Sequence, residues 1–389
     1  MKTAAETFSE LQSEILWGES ARSCLGNETQ GAGAYWHHVL GGKSYAPAEN
    51  LHGRLGWLTQ GDLGWPISVH DGSPGGSFSI SLLTQYVEYP KAELDFISSN
   101  WLRLATRIGL NGFKALLLCA QADKTVQWNS WMLSTNLIPL GTTPRIEAVT
   151  QTLASKFPDH AILLKNVDDQ TDPGLLQRLR EVGYRLMTSR IVYYFDGSDA
   201  VFFEKSTVKR DMKEFKGEER FRWVGPDDFG VEDATRMAAL YRLLYIEKHS
   251  RLNPRYTEAF VNGAIRERWL EFHGLRDRDG TLVGVFGFFT LDGILTSVPF
   301  IGYDTTLDQE TGLYRRLFIG ILREISARKQ RLNYSSGAGD FKRRRGGVPV
   351  VEFNAIYDRH LSSARRAAFG LTESLLNRVA RPWLEQSGL

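Results

Sequence analysis

Cysteine is nearly absent. The chain has two, Cys24 and Cys119, with no CxxC pair and no Cys/His cluster. That excludes a disulfide framework and argues against a structural zinc site. The adjacent His37 and His38 have diverging side chains and no third ligand at a suitable spacing, so no metal site is expected. Long hydrophobic runs are missing as well. A spanning helix needs roughly 18 consecutive apolar residues and none occurs. The opening MKTAAETFSELQSEILWGES lacks the apolar core of a secretory leader. Both absences point to a cytoplasmic protein without a membrane span. Nor does charge of one sign dominate: 47 Lys and Arg against 45 Asp and Glu leave a formal net charge of +2. Such a balance gives no general attraction to DNA, RNA or anionic lipid, so any polyanion must meet a local patch. No short repeat is visible.

What is present is ordinary globular material, 389 residues of which 42% are hydrophobic. That length suits two units of about 190 residues. Residues 3–17 carry Phe8, Leu11, Ile15 and Leu16 at helical spacing, and 25–50 read as loop. LHGRLGWLTQ, WPISVH and GGSFSISLLTQYVEY read as strands, and Lys91–Ile108 as a helix stopped by Gly109. KALLLCAQ at 114–121 reads as a buried strand. A helix over 144–157 with Pro144 in its first turn, a buried strand over 160–167, a helix over 172–183 stopped by Gly183 and a strand over 184–196 follow. Strand, helix and strand with short connections predict an α/β (α+β) architecture with mixed sheets flanked by helices. The chain turns polar at Asp-Gly-Ser-Asp near residue 196, which places a boundary between units 1–200 and 201–389. A second pass of similar element order then begins, with helices over 207–216, 231–248 and 254–270, strands over 221–224, 282–290 and 294–303, a helix over 312–329, strands over 331–336 and 350–356, and a helical end from 361 to 384.

The chemistry concentrates between residues 299 and 345. LVGVFGFF and ILTSVPFIGYD form a hairpin through Leu291-Asp292-Gly293, since Asp-Gly is a strong turn signal. Pro299 removes a ladder donor from the second strand, which must bulge or part from a neighbour and so free backbone groups for an extended ligand. The helix from Gly312, with Thr311 as its expected N-cap, begins just after that strand. Its free N–H groups, together with Arg315 and Arg316, suit a phosphate or pyrophosphate. RLNYSS then runs into GAGDFKRRRGG, where Asp340 precedes the basic run Lys342–Arg345 at the carboxyl end of a strand, the usual ligand edge of an open α/β sheet. The ordinary reading of such a run is a charged surface loop.

Gly312-Leu313-Tyr314-Arg315 opening a helix, followed by a strand and Gly-x-Gly-Asp-Phe-Lys, resembles the acyltransferase domain of FemAB/FemX-like and BioF-like members of the GNAT superfamily. Leu244–His249 and Asn253-Pro254 resemble the helical region before the sheet in such proteins, and Lys205–Lys216 resembles the start of that domain. The resemblance covers residues 205–360, and the first half only through element order. It implies two tandem GNAT-like domains and transfer of an acyl or aminoacyl group to a small amine acceptor. It implies donor contacts at Pro299, Ile301, Gly312, Leu313, Arg315 and Arg316, and acceptor contacts at Glu247, His249, Asn333 and Arg344. It further implies a reacting centre at Asp340 (base), Lys342 (oxyanion or carboxylate partner) and Tyr303 (acid). The donor is a co-substrate, with no tightly bound cofactor. Where common GNAT enzymes have a glycine-rich pyrophosphate loop, this chain has Leu307-Asp308-Gln309-Glu310-Thr311-Gly312. Two acids there repel a pyrophosphate, which favours an acyl carrier protein or aminoacyl-tRNA over acyl-CoA. The alternative is a non-catalytic GNAT-like module that recognises a carrier protein or RNA through Lys342–Arg345.

Overall fold

Runs rich in β-branched and aromatic residues become strands, and the computed structural model joins twelve of them into one mixed sheet. It describes residues 13–387 apart from 26–30, 42–46, 62, 74, 97, 140–141, 143–144, 218 and 294. In chain order the strands are β1 (Ser13–Trp17), β2 (Arg54–Gln60), β3 (Leu63–Asp71), β4 (Lys124–Trp128), β5 (Ala161–Val167), β6 (Arg185–Asp196), β7 (Phe221–Val224), β8 (Glu271–Asp277), β9 (Leu282–Leu291), β10 (Leu295–Tyr303), β11 (Arg331–Asn333) and β12 (Val348–Tyr357). Across the sheet they run β1-β2-β3-β4-β5-β12-β6-β11-β10-β9-β8-β7. The fold is therefore mixed α/β, with helices packed on the sheet.

The two ends of the sheet repeat one pattern. Each begins with antiparallel neighbours (β1 to β4, β7 to β10) and then makes one parallel pairing, β4 with β5 and β10 with β11. In the middle the halves exchange strands. β6, the last strand of the first half, lies against β11, and β12, from the end of the chain, lies against β5.

Several elements differ from the sequence reading. KALLLCAQ is the end of helix Asn100–Cys119 and its exit, not a strand, and Gly109 does not stop that helix. Gly109 and Gly112 face open space within it, where glycine only weakens a helix. The strand of this region is β4 instead. GGSFSISLLTQYVEY turns helical from Leu82. Ser81 Oγ accepts from Thr84 N–H at 2.8 Å and Asp123 Oδ1 accepts from Leu83 N–H at 3.0 Å, so part of the cap comes from 40 residues downstream. Helix Gly31–Gly41 replaces the loop expected over 25–50. The helix expected over 3–17 falls partly outside the described residues, and its last five residues form β1. Pro144 also lies outside the described residues. β8 was not anticipated.

The hairpin turn has positive φ at Asp292 and Gly293, 53° and 68°, within the three residues that separate the paired Leu291 and Leu295.

At the centre, the β6–β12 register slips. Glu352 faces Arg190 while Phe353 faces Thr188, leaving Ser189 as the extra residue of a bulge. Arg190 Nε donates to Glu352 Oε1 at 2.8 Å and Nη2 to Oε2 at 3.3 Å. Nη2 also donates to Ser134 O at 3.1 Å and Thr135 Oγ1 at 3.2 Å. Asn166 Nδ2 donates to Glu352 Oε1 at 2.8 Å. The Glu352 side chain is fully buried. Removing the cation strands a carboxylate in a low-dielectric interior. Arg190→Met is expected to lower stability by about 3–5 kcal/mol in urea denaturation, and Arg190→Met/Glu352→Gln to recover part of it. A single-variant loss below about 1 kcal/mol, the range of a surface pair, contradicts this account.

Candidate functional site

β10 and β11 run together for three residue pairs, Leu295↔Arg331, Thr296↔Leu332 and Ser297↔Asn333. They then part. β10 shifts register against β9 between Ser297 and Phe300, at Pro299, and follows β9 as far as Tyr303. The chain beyond β11 follows β6 instead: Tyr334 N–H donates to Tyr193 O at 2.9 Å, and Tyr193 N–H to Ser335 O at 3.1 Å. A wedge opens between them, as the proline predicts. At its apex the Ser297 hydroxyl is buried and has no hydrogen-bond partner.

Helix Ala234–Tyr241 reaches the wedge because Gly302 lets its backbone come close; a Cβ there would lie 2.5 Å from Leu240 C. The π-helical segment Arg242–His249 continues from it. Tyr245, Tyr303, Tyr314 and Tyr334 gather around the wedge. The rings of Tyr303 and Tyr314 lie 6.2 Å apart. Burial pushes Tyr314 up to about 12 and Tyr334 well above a phenol's usual value, so both stay neutral. Lys248 Nζ donates to the Tyr303 hydroxyl oxygen at 3.0 Å. The His249 ring sits 6.2 Å from that of Tyr245. Partial covering, then the Lys248 charge, lower its pKa.

The other expected residues are placed differently. Lys342 does not face the wedge with a free ammonium. It is buried, and Nζ donates to Tyr334 O, Ser335 O and Ser336 O at 2.7, 3.2 and 2.8 Å. Three carbonyls surround the nitrogen, and burial, then Arg190, pushes its pKa well down, which makes it a tie between the strand end and helix Gly339–Arg343 rather than an oxyanion donor. Asp340 is exposed and pairs with Arg343, whose guanidinium holds its carboxyl below the usual range. A base needs the opposite shift. Arg344 is an exposed neighbour of Asp340. Asn333 is buried and used at both ends: Nδ2 donates to Tyr194 Oη at 3.0 Å and Oδ1 accepts from Ser335 N–H at 2.9 Å. Glu247 is exposed.

The expected phosphate end is neutralised from within. Gly312, at φ 59°, is the N-cap of helix Leu313–Arg328 in place of Thr311, whose hydroxyl donates to Asp308 O at 2.6 Å. Arg315 makes two bonds to Glu214, at 2.6 and 2.7 Å, and one to Asp211 at 3.2 Å. Arg316 Nε donates to Thr311 O at 2.7 Å and its guanidinium lies 3.9 Å from the Phe215 ring centre. Leu313 and Ile301 belong to the apolar core beneath the sheet.

The first half has the matching gap. β4 and β5 pair through Thr125↔Ala161, Val126↔Ile162 and Gln127↔Leu163 and then separate. Here the chain fills its own gap. Asn136 donates through N–H and Nδ2 to Asn166 Oδ1 at 3.1 and 2.8 Å, and accepts from Trp131 N–H at 2.8 Å. Nearby, Lys165 is buried with Nζ donating to Phe78 O at 2.7 Å; burial, then Arg190, pushes it down to about 7. Asp168 accepts from Tyr194 Oη at 2.8 Å and is pushed up to about 6 by burial. The sequence reading missed Arg190, Glu352, Lys165 and Asp168. Charged residues inside otherwise apolar strands were the available signal.

No family model matches the sequence, and no curated protein matches it. Among solved structures, FemX is similar over 93% of this chain and 100% of its own at 9% identity and a TM-score of 0.47. A tandem GNAT protein from the clavulanic acid biosynthesis pathway is similar over 90% of this chain and 98% of its own, at 11% identity and a TM-score of 0.41. L-PGS from Bacillus licheniformis covers 59% of this chain and 78% of its own, at 12% identity and a TM-score of 0.44. All three likenesses lie at 12% identity or less and at TM-scores below 0.5.

Proposed function

We propose that the chain transfers an acyl or aminoacyl group from a thioester or aminoacyl ester to an amine, and that the reaction takes place in the wedge between β10 and β11. The observation that supports this is the three-pair contact ended by the Pro299 bulge. Beyond the third pair β10 has no strand partner on that side, and Tyr303 ends the strand there. Residues 1–200 and 201–389 are, on this reading, the two GNAT-like units, the second being the reactive one because the first has filled its gap with residues 129–137.

The amine nitrogen attacks the donor carbonyl; a C–N bond forms and the C–S or C–O bond breaks. His249, kept neutral near pH 7 by its lowered pKa, takes the amine proton. Tyr303, held by Lys248, returns a proton to the leaving sulfur or oxygen. With Arg315 and Arg316 committed to internal partners, we favour a donor carried by an acyl carrier protein or tRNA over free acyl-CoA. The same commitment supports a second reading, recognition of a carrier without chemistry.

Acetyl-CoA, acyl carrier protein thioesters and aminoacyl-tRNA, each with mixed amine acceptors, separate these readings by intact-mass detection of the product. Binding of every donor without turnover supports the module and refutes the enzyme. In the active pairing, Tyr303→Phe is expected to lower kcat on the order of a hundredfold with little change in KM, whereas Lys342→Met is expected to lower thermal stability first.

The pH profile is a separate check. A neutral His249 is required, so kcat/KM should rise with pH through a point below the ordinary histidine value near 6.5. His249→Gln should remove that limb. A limb unchanged in His249→Gln assigns the base elsewhere.

A further inference from the structure

Helix Asn100–Cys119 turns an apolar row outward. Trp101 and Ile108 are 74% and 63% exposed, and Leu104 and Leu118 lie on the same side. The end of the chain does likewise. Helix Ser363–Leu375, the π-helical turn Leu376–Ala380 and helix Arg381–Ser387 present Leu371, Leu375, Val379 and Trp383 at every fourth residue, with Val379 65% and Trp383 58% exposed. Helices Asn100–Cys119 and Ser363–Leu375 pack on each other. Both elements bury their opposite sides in one cluster holding Leu117, Phe369 and Leu376. Arg365 fixes them together, donating from Nε to Ala120 O at 2.9 Å at the exit of the first helix. An apolar face of this breadth is not the scattered exposure of an ordinary surface.

Its charge is one-sided. Helix Asn100–Cys119 contains Arg103, Arg107 and Lys114 and no acid. Arg107, Arg366 and Arg378 are exposed beside the rows. Glu373 is paired with Arg185 and Glu385 with Arg381, while Glu88 pairs with Lys114 and Glu93 and Asp95 are exposed before the first helix, so the cations left to the face are Arg107, Arg366 and Arg378. A second copy docked on this face by a two-fold axis would set these arginines against their own kind. No helix among the described residues is long and apolar enough to cross a membrane.

We infer that this two-helix face seats the protein on the surface of a bilayer containing anionic lipid. Trp101 and Trp383 enter the headgroup boundary with the aliphatic rows, and the arginines meet lipid phosphates. Apolar rows, flanking cations and interfacial tryptophans are the chemistry of a helix that lies in the membrane plane. This inference is independent of the transfer reaction.

The test floats the full chain with vesicles of phosphatidylcholine alone and of an equimolar mixture of phosphatidylcholine and phosphatidylglycerol. The expected result is flotation with the anionic vesicles, a blue shift of tryptophan emission, and loss of binding at high salt. Ile108→Glu/Val379→Glu, at exposed positions, should keep the melting temperature and cut partitioning roughly tenfold or more. Failure of the wild type to float, equal flotation with both vesicle types, or flotation unaltered in the glutamate variant each overturns the proposal. So does a wild-type dimer that becomes monomeric in that variant, which assigns the face to a second copy.

Discussion

The Arg190–Glu352 pair sits where the last strand of the first half meets a strand from the end of the chain, at the centre of the sheet. β6 and β12 stand side by side between the two repeated patterns, β12 against β5 and β6 against β11. A buried ion pair is weak evidence for stability in itself, because desolvation offsets much of its attraction. Its value here is registration. The bulge at Ser189 matches one residue on β12 to two on β6, and a slip of one residue would turn every side chain of the strand to the wrong face. A carboxylate that finds its guanidinium in only one register makes the slip costly. Ser134, Thr135 and Asn166 bind the same pair, so the segment that fills the first-half gap is tied to the same point.

From that centre the two gaps diverge in character. Both begin with three parallel pairs. In the first half, Asn166 of β5 and Asn129 just beyond β4 bond the backbone of the segment that fills the gap, at Asn136 N–H and Leu137 O. In the second half Ser297 Oγ is left unsatisfied, as Gln127 Oε1 is at the matching place in the first half. A buried polar atom without a partner is costly, and its natural remedy is a ligand. The filled gap of the first half is the ground on which chemistry is proposed for the second half alone.

Much of the second half was legible in the sequence because its local signals agree with the fold. Asp292-Gly293 demanded a hairpin, Pro299 demanded a break in the ladder, and the apolar spacing after Gly312 demanded a helix. The first half misled where tertiary contacts decided. Leu116–Leu118 form an apolar run compatible with either a buried strand or a helix, and only packing against the C-terminal helices chooses. The helix after Ser81 depends on Asp123, whose role no local window contains. The site was half legible. Residue type and strand position marked where β10 and β11 part. They could not tell that the charges of Lys342, Arg315 and Arg316 are spent on carbonyls and carboxylates, since hydrogen-bond partners are distant in sequence. Lys165 and Arg190 lay inside strands and were passed over for the same reason.

The exchange of β6 and β12 bears on how the molecule is made. β5 is buried along its whole length, yet one of its neighbours is drawn from residues 348–357, nearly two hundred positions later. During synthesis from the N-terminus, the first half leaves the ribosome with that edge unpaired and hydrophobic, an open template for the wrong strand. Neither half can complete its own sheet, so cutting the gene between them should not yield two autonomous folding units. The topology places the burden of this interval on chaperones, or on slow translation of the second half.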